Sequence, residues 1–179
     1  IRNDGTLAFT NVGGPLVPTL DGEYCKIITR EQQIYTGTIL SNSPAVHVFK
    51  DAKSLERSCD TMHIRIDEIV KSKEDVEKLG IQNGDYIAID TKTTITDSGF
   101  IKSRFLDDKM GVAILFGMLK TLSQEKIKPL HNLVLMISTF EEVGHGSSYV
   151  PEYISELIAV DMGCIGLDLA CSEYDVSIC

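Results

Sequence analysis

The feature that most constrains this sequence is a change in the spacing of its apolar residues close to residue 99. Before that point, short segments alternate apolar and polar residues, which is the period of strands with one buried face. After it, the apolar residues between Met110 and Leu122 are dense enough for a helix buried on most sides. The change predicts a small all-β, barrel-like domain at residues 1–98, followed by part of an α/β domain at residues 99–179.

The first part contains several segments with strand character, separated by turn signals. They are TLAFT, YCKIIT, QIYTGTIL, AVHVF, MHIRIDEIV and DYIAID. One helix interrupts them, because Ser72 can cap it, Asp75 follows three residues on as in a capping box, and Gly80 suits its C-terminal stop.

The second part contains two strands of the buried kind, NLVLMIST at 132–139 and ELIAVD at 156–161. A helix-length segment begins between them at about Gly146. Strand, helix and strand in this order predict a parallel pair with a crossover, and therefore an α/β layer.

Acidic residues occur at three points of this predicted layer. Asp107 and Asp108 precede the helix, Glu141 and Glu142 follow the first strand, and Asp161 ends the second. The carboxyl ends of parallel strands lie along one edge, where ligands bind in open α/β sheets. Carboxylates brought together repel one another, and a divalent cation would neutralise them.

The acidic pair after the first strand suggests a division of roles. In extended backbone, Glu141 and Glu142 point to opposite sides, so that one can ligate a metal while the other acts as a base on an activated water. An ordinary structural role is also open, because all of these acids suit helix N-termini as caps or first-turn residues. Spacing alone does not decide between the two.

Charge and cysteine usage restrict the partners and the compartment. The chain has 17 Lys and Arg against 26 Asp and Glu, a net charge of -9, which disfavours binding to nucleic acid or to an anionic membrane. No apolar run is long enough to span a bilayer. The 5 cysteines are odd in number and include no C-x-x-C pair, which favours reduced thiols and a cytoplasmic location.

The ends of the chain suggest that it is a piece of something longer. It begins at Ile1 rather than at a methionine, and it stops within SEYDVSIC, an alternating stretch that is typical of an unfinished strand.

Three motifs around the acids resemble those of a known family. SRFLDDKMGVA (103–113), STFEEVGHG (138–146) and AVDMG (159–163), in this order, are similar to the metallo-aminopeptidases of the glutamyl and deblocking aminopeptidase family, of which several members form tetrahedral assemblies. The first part resembles the family too, in GGPLVPTLDGEYCKI, YTGTILSNSPAVHVF and MHIRIDEIVKSKEDVEKLGIQNGDYIAID. The resemblance covers essentially the whole chain.

The resemblance implies a role for each acid. Asp107 would bridge two zinc or cobalt ions, with Asp108 as a supporting residue. Glu142 and Asp161 would each ligate one of the metals, and Glu141 would be the general base that moves a proton for the water attacking the peptide.

The resemblance also implies an arrangement and partners for the whole protein. The β domain would be inserted within the catalytic domain and would mediate homo-oligomer formation. The substrate would be a peptide that loses its N-terminal residue.

This chain departs from the family pattern in two respects. The family's Glu-Glu-Val-Gly is often followed by Leu-Arg-Gly-Ala, whereas here the stretch His145-Gly146-Ser147-Ser148 follows. The two histidine ligands of the family, one in a His-x-Asp motif, have no counterpart here, and His145 is the only histidine near the acids. An all-oxygen set is a weak site for zinc, whose protein sites usually include nitrogen or sulfur.

Two other functions remain open on the sequence. The first part could act as an assembly or peptide-binding module by adding a strand to an exposed sheet edge, which needs no metal. Paired carboxylates also serve glycosidases, although adjacent residues of one strand diverge and suit that chemistry poorly.

Overall fold

The computed structural model describes residues 1–178, so that Cys179, the end of the predicted unfinished strand, lies outside the described residues. The chain divides into two units, Ile1–Thr91 and a second that starts at Lys92. Each unit is described by itself below.

The first unit is built on a four-stranded antiparallel sheet whose spatial order is β3-β2-β1-β4. Its strands are β1 (Tyr24–Ile28), β2 (Ile34–Ser41), β3 (Met62–Ile66) and β4 (Tyr86–Ile89). Alternation positions them as expected: in β1, Cys25 and Ile27 are buried between exposed neighbours. Within the described residues the sheet is open, with β3 and β4 at its edges, and the barrel-like closure expected from the sequence is not seen.

The predicted helix of the first unit is confirmed as α1 (Lys73–Lys78). The Ser72 hydroxyl accepts a hydrogen bond from the Asp75 N–H, while the Asp75 carboxylate accepts one from the Lys71 N–H. These bonds satisfy N–H groups at the helix start that have no intrahelical partner. Gly80 follows the helix with φ +80°, the left-handed conformation that glycine adopts without steric cost.

Two predicted strands of the first unit do not form. The segment TLAFT is reduced to one bridge, in which Leu7 and Ile64 exchange backbone hydrogen bonds of 2.9 Å. The segment AVHVF folds into turns, since the N–H groups of Val48 and Phe49 both donate to the Ala45 carbonyl. Its local alternation was misleading because no neighbouring strand pairs with it.

The core of the first unit lies against one face of the sheet. Its largest fully buried side chains include Leu20, Ile27, Ile39, Met62, Ile64, Val76 and Ile81. Cys25 belongs to the same cluster, and burial, with a smaller effect from Asp67, raises the pKa of its thiol to about 11. Such a thiol is a packing residue and a poor nucleophile at neutral pH.

The second unit begins with a short antiparallel hairpin, β5 (Thr94–Ile95) and β6 (Ile101–Lys102), followed by α2 (Leu106–Gln124). The predicted helix is therefore confirmed, but its expected burial is not: Ile114 is 56% exposed and Phe116 is 54% exposed. Within residues 1–178, no helix combines the length and the apolar character needed to cross a membrane.

The parallel strand pair expected in the second unit is not confirmed. Segments 132–139 and 156–161 run without strand pairing, and the residues after Gly146 form turns rather than a helix. Apolar side chains of both segments are exposed, with Ile158 at 83%. A buried strand needs hydrogen-bonding neighbours and apolar layers on both faces, and within the described residues these segments have neither.

Candidate metal centre

The first pair of predicted site acids lies at the start of α2. Phe105, just before the helix, has left-handed backbone (φ 60°, ψ 36°), and Asp107 and Asp108 are themselves non-helical. The Asp108 carboxylate accepts a hydrogen bond of 2.8 Å from the Gly111 N–H, as a capping side chain does. Asp108 therefore supports the regular part of the helix, while Asp107 is exposed beside it.

Gly111 leaves the space that this capping bond requires. A Cβ atom at this position would overlap the Asp108 carboxylate, whose three outer atoms are its nearest neighbours. Gly111 is also the buried residue of α2. The start of the helix thus depends on a glycine three residues after the acid that caps it.

The second pair of acids lies in a tight turn. Glu141–Val143 form one turn of 3-10 helix, entered from Phe140 in left-handed backbone (φ 58°, ψ 24°) and left through Gly144 (φ 81°). The extended backbone assumed for these residues is therefore wrong. In a 3-10 turn, successive side chains are still about 120° apart, so Glu141 and Glu142 continue to diverge.

Phenylalanines in left-handed backbone lie within two residues before each acidic pair. The described residues include five non-glycine residues with positive φ, and Phe105 and Phe140 are two of them. Such conformations cost of order 1–3 kcal/mol each, and they cluster where the surrounding structure serves a function. Phe105 lies two residues before Asp107 and Phe140 lies directly before Glu141, which makes both turns candidate functional elements.

The charges of the predicted site residues converge on Glu142. The pKa of this carboxyl is raised, first by the negative charge of Asp107, then by desolvation, and then by the charges of Glu141 and Asp161. These three residues come from three separate segments of the second unit. The structure therefore brings Glu142 within range of the other three acids predicted to act together.

The donor set suits a hard divalent cation in charge and in atom type, because carboxylate oxygens are its preferred ligands. The positions of the side chains do not yet form a ligand shell: within the described residues, no group of three or more His, Cys, Asp or Glu side chains could hold a metal ion. The acids are thus close enough to repel, but they are not gathered around one point.

Within residues 1–178, no histidine joins the acids in a group that could hold a metal ion. His63 lies in β3 of the first unit, where it bonds to Asn42 at 2.9 Å, and His47 lies in the turns of that unit. In the second unit, His131 is an exposed residue outside any helix or strand. His145 lies in the turn after Glu142, where its N–H donates to the Phe140 carbonyl at 3.0 Å.

Some residues that shape this site escaped the sequence reasoning. Phe105, Phe140, Gly111 and Gly146 have no role assigned from the sequence. One signal was available: each acidic pair has a glycine within four residues, at a spacing that allows a turn to pack against an acid.

Comparisons with known proteins show what the chain is similar to. The family model for M42 glutamyl aminopeptidases matches residues 1–179. The "Putative aminopeptidase YhfE" of Bacillus subtilis (strain 168) is 45% identical over 180 residues, which is 100% of this chain and 52% of that protein. The "Putative aminopeptidase FrvX" of Escherichia coli (strain K12) is 27% identical over 161 residues, which is 89% of this chain and 43% of that protein. The chain therefore spans about half the length of these curated relatives.

Solved structures with a similar fold are also peptidases by name. Aminopeptidase APDkam598 from the archaeon Desulfurococcus kamchatkensis superposes with a TM-score of 0.61 at 30% identity, covering 80% of this chain and 37% of that one. The TET1 peptidase of Pyrococcus horikoshii, which can assemble into a tetrahedron or a large octahedral shell, gives a TM-score of 0.62. The two sequences are 24% identical, and the match covers 80% of this chain and 41% of the Pyrococcus horikoshii chain. At this identity the likeness concerns the fold alone.

Proposed function

The chain belongs to the M42 glutamyl aminopeptidase family, and we propose that the whole protein is a metal-dependent aminopeptidase that removes N-terminal residues from peptides. The observation that carries this proposal is the match of residues 1–179 to the family model, and the charges of Asp107, Glu141 and Asp161, which raise the pKa of the Glu142 carboxyl, are consistent with it. Mutual repulsion of this kind favours binding of a cation.

Each acid has a distinct role in this proposal. Asp107, Glu142 and Asp161 would contribute carboxylate ligands to two divalent cations, zinc or cobalt, in the whole protein. When bound, these ions supply Lewis-acid chemistry and acidify water. A Glu141 carboxylate oxygen accepts the proton of the attacking water and then delivers it to the nitrogen of the leaving amine.

The apolar segments of the second unit support a further part of the proposal. We infer that residues 132–139 and 156–161 form the parallel strands of an α/β layer in the whole protein. Their exposed apolar side chains need such a layer to be buried, and Glu141 would then follow directly on the end of the first strand.

The first unit supports a role in assembly. Its strand β4 lies at an edge of the sheet, and Tyr86 is exposed there. We infer a homo-oligomer formed through this unit, because an edge strand can pair with a strand of another copy. The free thiols of Cys25, Cys59, Cys164 and Cys171 support a cytoplasmic location.

Chelation tests the proposed function. The whole protein should release 4-nitroaniline from a panel of aminoacyl-4-nitroanilides, because these substrates carry the free N-terminal amine and scissile amide of a peptide. Removal of metal with 1,10-phenanthroline should abolish turnover, and zinc or cobalt should restore it.

A parallel assay with 4-nitrophenyl glycosides serves as the control for glycosidase chemistry. Elemental analysis establishes that the chelated protein holds no metal. If that protein still hydrolyses the amide substrates, the proposed metal dependence is overturned. Glycoside cleavage that the chelator leaves unchanged would favour the two-carboxylate alternative.

A further inference from the structure

The turn that carries Glu141 folds back on itself. The N–H of His145 donates to the Phe140 carbonyl at 3.0 Å, and the N–H of Gly144 donates to the Glu141 carbonyl at 2.8 Å. After this turn, both the N–H and the hydroxyl of Ser148 donate to the His145 carbonyl. These bonds reverse the direction of the chain, so that Gly146 packs against Glu141.

Gly146 touches Glu141 more closely than any side chain would allow. A Cβ atom built at Gly146 would lie 2.8 Å from Cγ, 2.9 Å from Cβ and 3.1 Å from Cα of Glu141. Carbon atoms in favourable contact are about 3.5–4.0 Å apart. The crowded atoms are the root of the Glu141 side chain rather than its flexible end, so relief requires the whole side chain to move.

The need for glycine here is one of space and not of backbone conformation. Gly144 has φ +81°, which disfavours any other residue, but Gly146 is not among the glycines with positive φ. A Cβ at Gly144 would meet nothing within 4 Å, whereas all three nearest atoms at Gly146 belong to Glu141. The two glycines of one turn therefore have separable roles.

We propose that Gly146, which stands where the family pattern often has Arg, is a positioning residue for Glu141 in the turn of this chain. The space left by the absence of a side chain at Gly146 lets the Glu141 side chain lie in the orientation needed for proton transfer. This inference rests on the proposed function for its catalytic consequence only, because the packing of Gly146 on Glu141 holds whatever the reaction. A displacement of about 1 Å at a reacting group can cost roughly 100-fold in rate.

The first test measures the position of Glu141 without any substrate. In the whole protein labelled with ¹³C at glutamate carboxyls, the Glu141 resonance is identified by its loss in Glu141→Gln. Gly146→Ala should shift this resonance. Gly166→Ala is the matched control, since a Cβ there meets Leu169 at an ordinary 3.8 Å, and it should leave the resonance in place. An unmoved resonance in folded Gly146→Ala would overturn the inference.

The second test separates positioning from a general effect on folding. On aminoacyl-4-nitroanilides, Gly146→Ala should lower kcat by roughly 10- to 100-fold with KM unchanged, and it should leave the residual turnover of Glu141→Gln unchanged. An equal loss in both backgrounds would mean that Gly146 acts only on the fold, which contradicts the inference. A wild-type protein that turns over no substrate would overturn the proposed function, while the resonance would still decide the position of Glu141.

Discussion

Replacing Glu141 with Gln should lower kcat by roughly 10²- to 10⁴-fold, the usual contribution of a general base. Glutamine has the same shape as glutamate but cannot accept the proton of the attacking water. Because Glu142 and not Glu141 is proposed to ligate metal, the variant should retain the metal content of the wild type. The measurement is steady-state turnover of aminoacyl-4-nitroanilides by the whole protein, with elemental analysis of the same samples.

Glu125→Gln is the matched control for this prediction. Glu125 is an exposed glutamate at the C-terminal end of α2, at the opposite end of that helix from Asp107. The control should keep wild-type turnover, because it removes the same charge away from the acids. If Glu141→Gln also turns over at the wild-type rate, Glu141 is not the base, and the assignment of the two glutamates must be reconsidered.

Replacing Ile64 with Ala should lower the free energy of unfolding of the first unit by about 2–5 kcal/mol. The Ile64 side chain is 0% exposed, and its backbone pairs with Ile39 in β2 on one side and with Leu7 on the other. The substitution therefore leaves a cavity where two neighbouring segments meet. Urea denaturation followed by circular dichroism measures the change.

Ile69→Ala provides the control, since it makes the same substitution at a residue that is 94% exposed and should change stability by no more than about 0.5 kcal/mol. Equal unfolding midpoints for the two variants would mean that Ile64 is not in the core described here. The strand register of β2 and β3 would then be in doubt as well, because a shift of one residue exchanges buried and exposed faces.

Local patterns in the sequence were sufficient for much of the first unit. Strands β1 and β3 show their burial as an alternation of residue types, and α1 shows its start in Ser72 and Asp75. In β2 the buried positions include Gly37 and Ser41, so there the residue types mark the strand but not its buried face. The segment AVHVF has the same alternation but forms turns, because pairing depends on a partner strand that the local pattern does not specify.

The second unit was less predictable because its structure depends on contacts between distant segments. The helix α2 was found from its own residues, whereas residues 132–139 and 156–161 can become strands only beside other strands. The acids of the candidate site were selected from motifs, and the effect of Asp107 and Asp161 on Glu142 is consistent with that selection. The contact of Gly146 with Glu141 depends on how a turn closes, which residue types alone do not reveal.

The most direct test of the central claim is the number of metal ions bound per chain. The whole protein is dialysed against zinc or cobalt, freed of loose metal and subjected to elemental analysis, together with Asp107→Asn. We expect two ions per chain in the wild type and a loss of both in the variant, because Asp107 would serve as a ligand to both. A wild-type protein that retains no metal, or an Asp107→Asn variant that retains both ions, would contradict it.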